Sequence, residues 1–268
     1  MINSFSINFL RHAGMAFCGV TLTCFFASVA YSADFFERRE PVKFEFMQKV
    51  SSDHTLGGYP ILNIGGEWKL ALATTSYSTG MASGIPLGSV YLVDVRDNKF
   101  FASLIMRGNL EPANASDWTD EPCKRTNFLW KRSTGRAFSN INCVSIDHRV
   151  NHYVRPTGQF QTLLGKFREL NIDLPPTILR IEFTRYSDHG RRLVYVLDVN
   201  PEMFGFDRDS EGLWGANSWY KDFSQKDPKK TEFIAFLSKW AEGVQDKMDS
   251  AFEKDTSAFR EISSLKKD

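Results

Sequence analysis

Residues 89–106 read SVYLVDVRDNKFFASLIM. Two runs of β-branched, aromatic and aliphatic residues flank Arg96-Asp97-Asn98. Asp and Asn tolerate the positive φ of a tight hairpin turn, so 89–95 and 99–106 are expected to pair. A second pair lies at 177–184 and 193–199. TILRIEFT alternates apolar and polar residues, the period of a half-buried strand. LVYVLDV is apolar at nearly every position, which predicts a central strand covered on both faces. Ser187, Asp188, His189 and Gly190 make the turn between them.

Working outward, VKFEFMQKV at 42–50 alternates and predicts a strand, as do 68–75, 128–131 and 137–146, the last two joined through Ser133-Thr134-Gly135. Helical spacing appears twice. Phe160, Leu163, Leu164, Phe167 and Leu170 predict an inserted helix over about 157–170, begun near Pro156 and stopped by Pro175-Pro176. Phe233, Leu237, Trp240, Val244, Met248, Ala251 and Phe252 predict one long amphipathic helix over about 228–263, started by Pro228. Hairpins with one inserted and one terminal helix make an α+β domain on a mainly antiparallel sheet.

The first 32 residues read differently. Arg11 is followed by an uncharged apolar run, then by Ala30, Tyr31 and Ser32, and then by abrupt polarity. These are the parts of a secretory signal peptide. Ala30 and Ser32 suit the −3 and −1 positions, placing the cut after Ser32; a cut after Ala30 also fits. The run is at the lower limit for a retained anchor. Phe17 and Thr23 precede Cys18 and Cys24, which disfavours a lipoprotein. The expectation is an exported, periplasmic or secreted chain, with 33–268 as one domain and no membrane span after cleavage.

Composition narrows the partners. The chain has 33 basic and 32 acidic residues, and removing Arg11 with the leader leaves 32 against 32. That balance argues against electrostatic binding of nucleic acid. Of four cysteines, Cys18 and Cys24 lie in the leader. Cys123 and Cys143 are left, and an oxidising compartment favours their pairing. The closed loop of about 20 residues is worth about 3 kcal/mol in the chain-entropy model.

Chemical motifs are sparse. Asp147, His148 and His152 are a candidate metal set, although the His spacing falls between a strand and a helix and no HExxH or HxH pattern accompanies it; a polar loop is the simpler reading. Asp117, Asp120 and Glu121 form an acidic stretch near Trp118, and Asn114-Ala115-Ser116 matches a glycosylation acceptor. No GxSxG motif, EF-hand spacing or phosphate-cradling glycine loop is present, and no cofactor is expected. Phe204, Trp214, Trp219 and Tyr220 lie in an irregular, glycine-containing segment and are candidates for lining an apolar pocket; packing beneath the terminal helix is the alternative. The leading expectation is a non-catalytic domain that binds a small ligand or an envelope partner. A secreted hydrolase with a dispersed active site, or an assembly factor using the C-terminal helix, are the other readings.

Overall fold

The computed structural model describes residues 33–78, 84–111, 124–135, 140–150, 152, 159–187, 190–209, 214–260, 262, 264 and 265. Residues 32–268 form one compact unit. In chain order the elements are β1 (Phe36–Glu37), β2 (Glu40–Pro41), β3 (Gln48–Lys49), β4 (Thr55–Leu56), β5 (Tyr59–Pro60), β6 (Lys69–Tyr77), β7 (Pro86–Arg96), β8 (Lys99–Asn109), β9 (Trp130–Ser133) and β10 (Asn140–Val150), then helix α1 (Gln159–Glu169), β11 (Thr177–Ser187), β12 (Arg192–Val199), and helices α2 (Lys221–Ser224), α3 (Pro228–Gln245) and α4 (Met248–Phe252).

Eight of the strands form one antiparallel sheet in the order β3-β6-β7-β8-β12-β11-β10-β9. The chain runs from one edge inward to β8, crosses to the far edge at β9, and runs inward again to β12. The two meanders join where β8 pairs with β12, Leu193 facing Gly108 and Val199 facing Ala102. The fold is α+β, as the patterning predicts.

Local chemistry explains the clearest turn. Asp97 and Asn98 sit at φ 48° and 57°, the left-handed conformation that a two-residue hairpin turn demands of both central residues. Strand β12, buried along all but its first residue, occupies the centre. One sheet face packs Val90, Leu104, Ile146, Phe183 and Leu197 against Phe233, Leu237 and Trp240 of α3 and Phe252 of α4. The opposite face packs Tyr91, Ile105, Ile178 and Val196 with Leu163, Leu164 and Phe167 of α1. Among the described residues no helix is long and apolar enough to cross a membrane.

Two expectations are corrected. The alternating stretch 42–50 contributes only the two residues of β3 to the sheet, because the chain turns at 45–48, where the Gln48 amide donates to the Glu45 carbonyl and Met47 takes φ 66°. The terminal helix runs as α3 and α4 rather than unbroken to 263. Its apolar stripe stays buried through Phe252, but Lys254 adopts φ 63° and Asp255 caps Ser257, so the chain leaves the helical path. Its start is as expected: Asp227 caps Lys229 and Lys230, with Pro228 in the first turn.

The segment before the sheet is fastened by one carboxylate. Asp34 accepts from the Phe36 amide at 2.9 Å, the Thr55 hydroxyl at 2.8 Å, and the Gly57 and Gly58 amides at 3.1 and 2.9 Å. Gly57 and Gly58 form the β4–β5 turn at φ 56° and 86°, and a Cβ on Gly57 would meet the Asn109 carbonyl at 3.0 Å. Phe35, beside Asp34, is fully buried. Replacing Asp34 with Ala strands several donors at once, and urea denaturation should show a loss of about 2 kcal/mol; a change below about 0.5 kcal/mol would show that the carboxylate fastens nothing.

Candidate functional site

Asp147 and His148 are adjacent on β10, and successive side chains of a strand point to opposite faces. The His148 ring lies on the α3 face. It is 1% exposed, stacks on Trp214 at 4.8 Å between centroids, and its Nε2 lies 3.1 Å from the Trp214 carbonyl. Trp214 Nε1 donates back to the His148 carbonyl at 3.3 Å. His152 lies on the other side, beside Arg180 and Asp198. The two histidines are thus on opposite faces of the sheet, although Asp147 Oδ1 stays 3.6 Å from His148 Nδ1, and among the described residues no three His, Cys, Asp or Glu side chains are arranged to hold a metal ion.

Two of the four pocket candidates, Phe204 and Trp219, are packing residues of the layer under α3. Trp219 is buried between Phe206 and Phe233, and Phe204 lies between Phe101 and Phe233. Trp214 and Tyr220 close on each other and on His148. Irregular backbone with many rings served here to fill the wedge between the sheet and α3. Cys123, the 112–123 stretch with Asp117, Asp120 and Glu121, the 114–116 acceptor, His189 and the leader fall outside the described residues. Cys143 is buried on β10, on the α1 face.

The concentration of charge lies on that α1 face, at positions the motif search passed over. Register aligns Asp147, Arg180, Asp198 and Ser103 across β10, β11, β12 and β8. Asp198 is fully buried, and Arg180 grips it with two hydrogen bonds of 2.7 and 2.8 Å. Arg180 Nη2 also donates to His152 Nε2 at 3.0 Å. A guanidinium can only donate, so that imidazole nitrogen carries a lone pair and His152 is neutral. Burial holds the His152 pKa below its ordinary value, the charges of Arg180 and Arg149 act in the same direction, and Asp198 opposes them. Arg149 faces Asp147 at 3.6 Å.

Further along the same face the pairing is incomplete. Arg107 on β8 is half-buried, and its guanidinium makes no hydrogen bond or ion pair with any described residue. Burial lowers its pKa, the neighbouring Arg192 lowers it further, and Glu182 opposes. Thr184, 1% exposed, buries its hydroxyl oxygen with no hydrogen-bond partner. In register, Arg107 faces Val194 on one side and Ser89 on the other, and Val194 faces Thr184. Arg107 borders a shallow recess whose other walls are Leu72, Thr74, Ser89, Tyr91 and Ile105. A fork of guanidinium donors beside hydroxyls and apolar walls suits a carboxylate or another planar anion.

Sequence reasoning missed this group because Arg180, Glu182 and Thr184 alternate with apolar residues, as the solvent face of any strand does. The available signal was their place next to 193–199, the strand expected to be covered on both faces.

No protein-family model matches the chain, and no curated protein matches it significantly. Among solved structures, one of a proposed transcriptional regulator from Streptomyces coelicolor aligns at a TM-score of 0.28 and 14% identity, covering 53% of this chain and 91% of its own. A likeness at that score specifies neither fold nor function.

Two outcomes follow from the closed part of the cluster. Arg180→Met leaves Asp198 buried without its counter-charge and should cost about 3–5 kcal/mol in urea denaturation, most of it recovered when Asp198→Leu is added; a single-variant loss under about 1 kcal/mol would contradict the pairing. His152 titrates below 6.5 in the folded chain, so the unfolded chain binds the proton first. Stability is therefore full above 6.5 and falls as the pH drops from 6.5 through the folded value. His152→Gln should flatten that limb of the pH–stability curve.

Proposed function

We propose that this chain is an exported, non-catalytic domain that binds a small organic anion on the α1-bearing face of its sheet. The observation that carries the reading is Arg107, a half-buried guanidinium beside a recess and without a partner among the described residues. Leaving such a group unsatisfied costs stability, and a bound carboxylate would satisfy it. The Thr184 hydroxyl, two strands from Arg107 across Val194, is a second buried polar group without a hydrogen bond on the same face. Tyr91, Ile105 and Leu72 supply apolar contact for the body of the ligand.

Export rests on the leader and on its agreement with the fold. The Ala33 carbonyl accepts from the Thr55 amide, and Phe35 is core, so a cut after Ser32 would keep both contacts. The proposed Cys123–Cys143 bridge belongs to the same reading. The Lys131 ammonium donates to the Arg125 carbonyl, which places the residues just after Cys123 beside β9, the neighbour of Cys143's own strand.

Isothermal titration with 3-phenylpropionate tests the binding. Arg107→Met should weaken it by at least about tenfold, the worth of one charge-assisted hydrogen bond, and Arg107→Lys should recover only part, because an ammonium lacks the planar fork. Binding unchanged in Arg107→Met would remove the reading. Intact-mass measurement on protein recovered from its native compartment should find a chain beginning at Ala33 and two mass units lighter than its reduced form for one disulfide; an uncut chain, or two free thiols, would remove the corresponding part.

A further inference from the structure

The α1 face holds a second unsatisfied charge, of the opposite sign. Glu182 on β11 is half-buried, and its carboxylate makes no hydrogen bond or ion pair with any described residue. It feels Arg107 electrostatically, yet the two are not in contact. Register gives the reason. Arg107 faces Val194 and Glu182 faces Val196, so the two lie on opposite sides of β12, diagonal to each other across a buried pair of valines. The other acid–base neighbours on this face are closed: Arg180 grips Asp198, and Arg149 faces Asp147. Among the described residues, neither Arg107 nor Glu182 has a salt bridge, and the buried Val194, Val196 and Thr184 lie between them.

Resting on the anion-binding reading, we infer that the ligand is a zwitterion, an amino carboxylate whose carboxylate takes Arg107 and whose ammonium takes Glu182. The charges decide between ligand classes. A plain anion would satisfy Arg107 but lie against the uncompensated Glu182. A plain cation would satisfy Glu182 but meet both Arg107 and Arg192, which already repel each other. A ligand with both groups completes the open pair from each side. Its apolar body rests on Tyr91 and Ile105.

Titrations of the full chain with matched probes test this. L-Phenylalanine is set against 3-phenylpropionate, and 6-aminohexanoate against hexanoate, so that two charge spacings are sampled; phenethylamine is the cation-only probe. In wild-type protein at least one zwitterion should bind about tenfold more tightly than its parent acid, and phenethylamine more weakly than either partner of its set. Glu182→Gln should bring that zwitterion down to the level of its parent acid, with circular dichroism and melting confirming that the variant folds. The wild-type ratio stands as a test even if the variant does not fold. If both parent acids bind in an Arg107-dependent way but neither zwitterion is preferred, the zwitterion inference is overturned while the anion site stands. If phenethylamine matches phenylalanine, Glu182 binds cations alone and the inference is likewise overturned. If no probe binds, both readings fall together.

Discussion

Everything in this molecule hangs on the seam between β8 and β12. The two strands are distant in sequence, each closes its own meander, and their seven facing pairs turn two separate meanders into one eight-stranded sheet. The seam lies at the centre, with α3 and α4 on one side and α1 on the other. Both strands are therefore committed on both faces, and a slip of one residue would exchange the faces of every side chain. Leu197 would turn toward α1, and Asp198 would be driven into the aromatic layer under α3.

That constraint also makes the polar residues of the α1 face informative. On a sheet with one wet face, a row of Arg, Glu and Thr would need no explanation. Here the row lies beside a strand buried on both sides, where each charge must find a partner. Arg180 and Asp198 do so, with His152 as a neutral acceptor from Arg180. Arg107, Glu182 and Thr184 do not find one among the described residues. A polar network that is complete in one half and open in the other costs stability unless a further group completes it. The proposed ligand has that role.

The ends of the described body serve the other face. Asp34 gathers four donors around the Gly57-Gly58 turn, and far along the chain the Leu265 amide donates to the Ile64 carbonyl. Between them the irregular 33–68 segment is pressed onto the α3 side of the sheet through Phe35, Leu56, Tyr59 and Leu62. The apolar side of the sheet is sealed by backbone that forms almost no regular structure, while the charged side carries the open pair.

What the residues determine by themselves is local. Asp97 and Asn98 specify the hairpin, because both must take left-handed φ and both can. Asp227 and Pro228 specify the start of α3, and the two-sided apolarity of 193–199 specifies a central strand. These need only the chain's nearest neighbours or its own periodicity. The tertiary structure alone decided which strands share an edge, and with that the site. Asp147, His148 and His152 look like one cluster in sequence, but the two histidines separate, His148 under α3 and His152 beside Asp198 on the other face. Of the candidates Phe204, Trp214, Trp219 and Tyr220, Phe204 and Trp219 fill the layer under α3, while Trp214 and Tyr220 pack on His148 and on each other. Arg107 and Glu182, unremarked in the sequence, come to lie diagonally across β12 only after register is set. Register across non-local strands is a property of the whole sheet, and no segment of the sequence carries it alone.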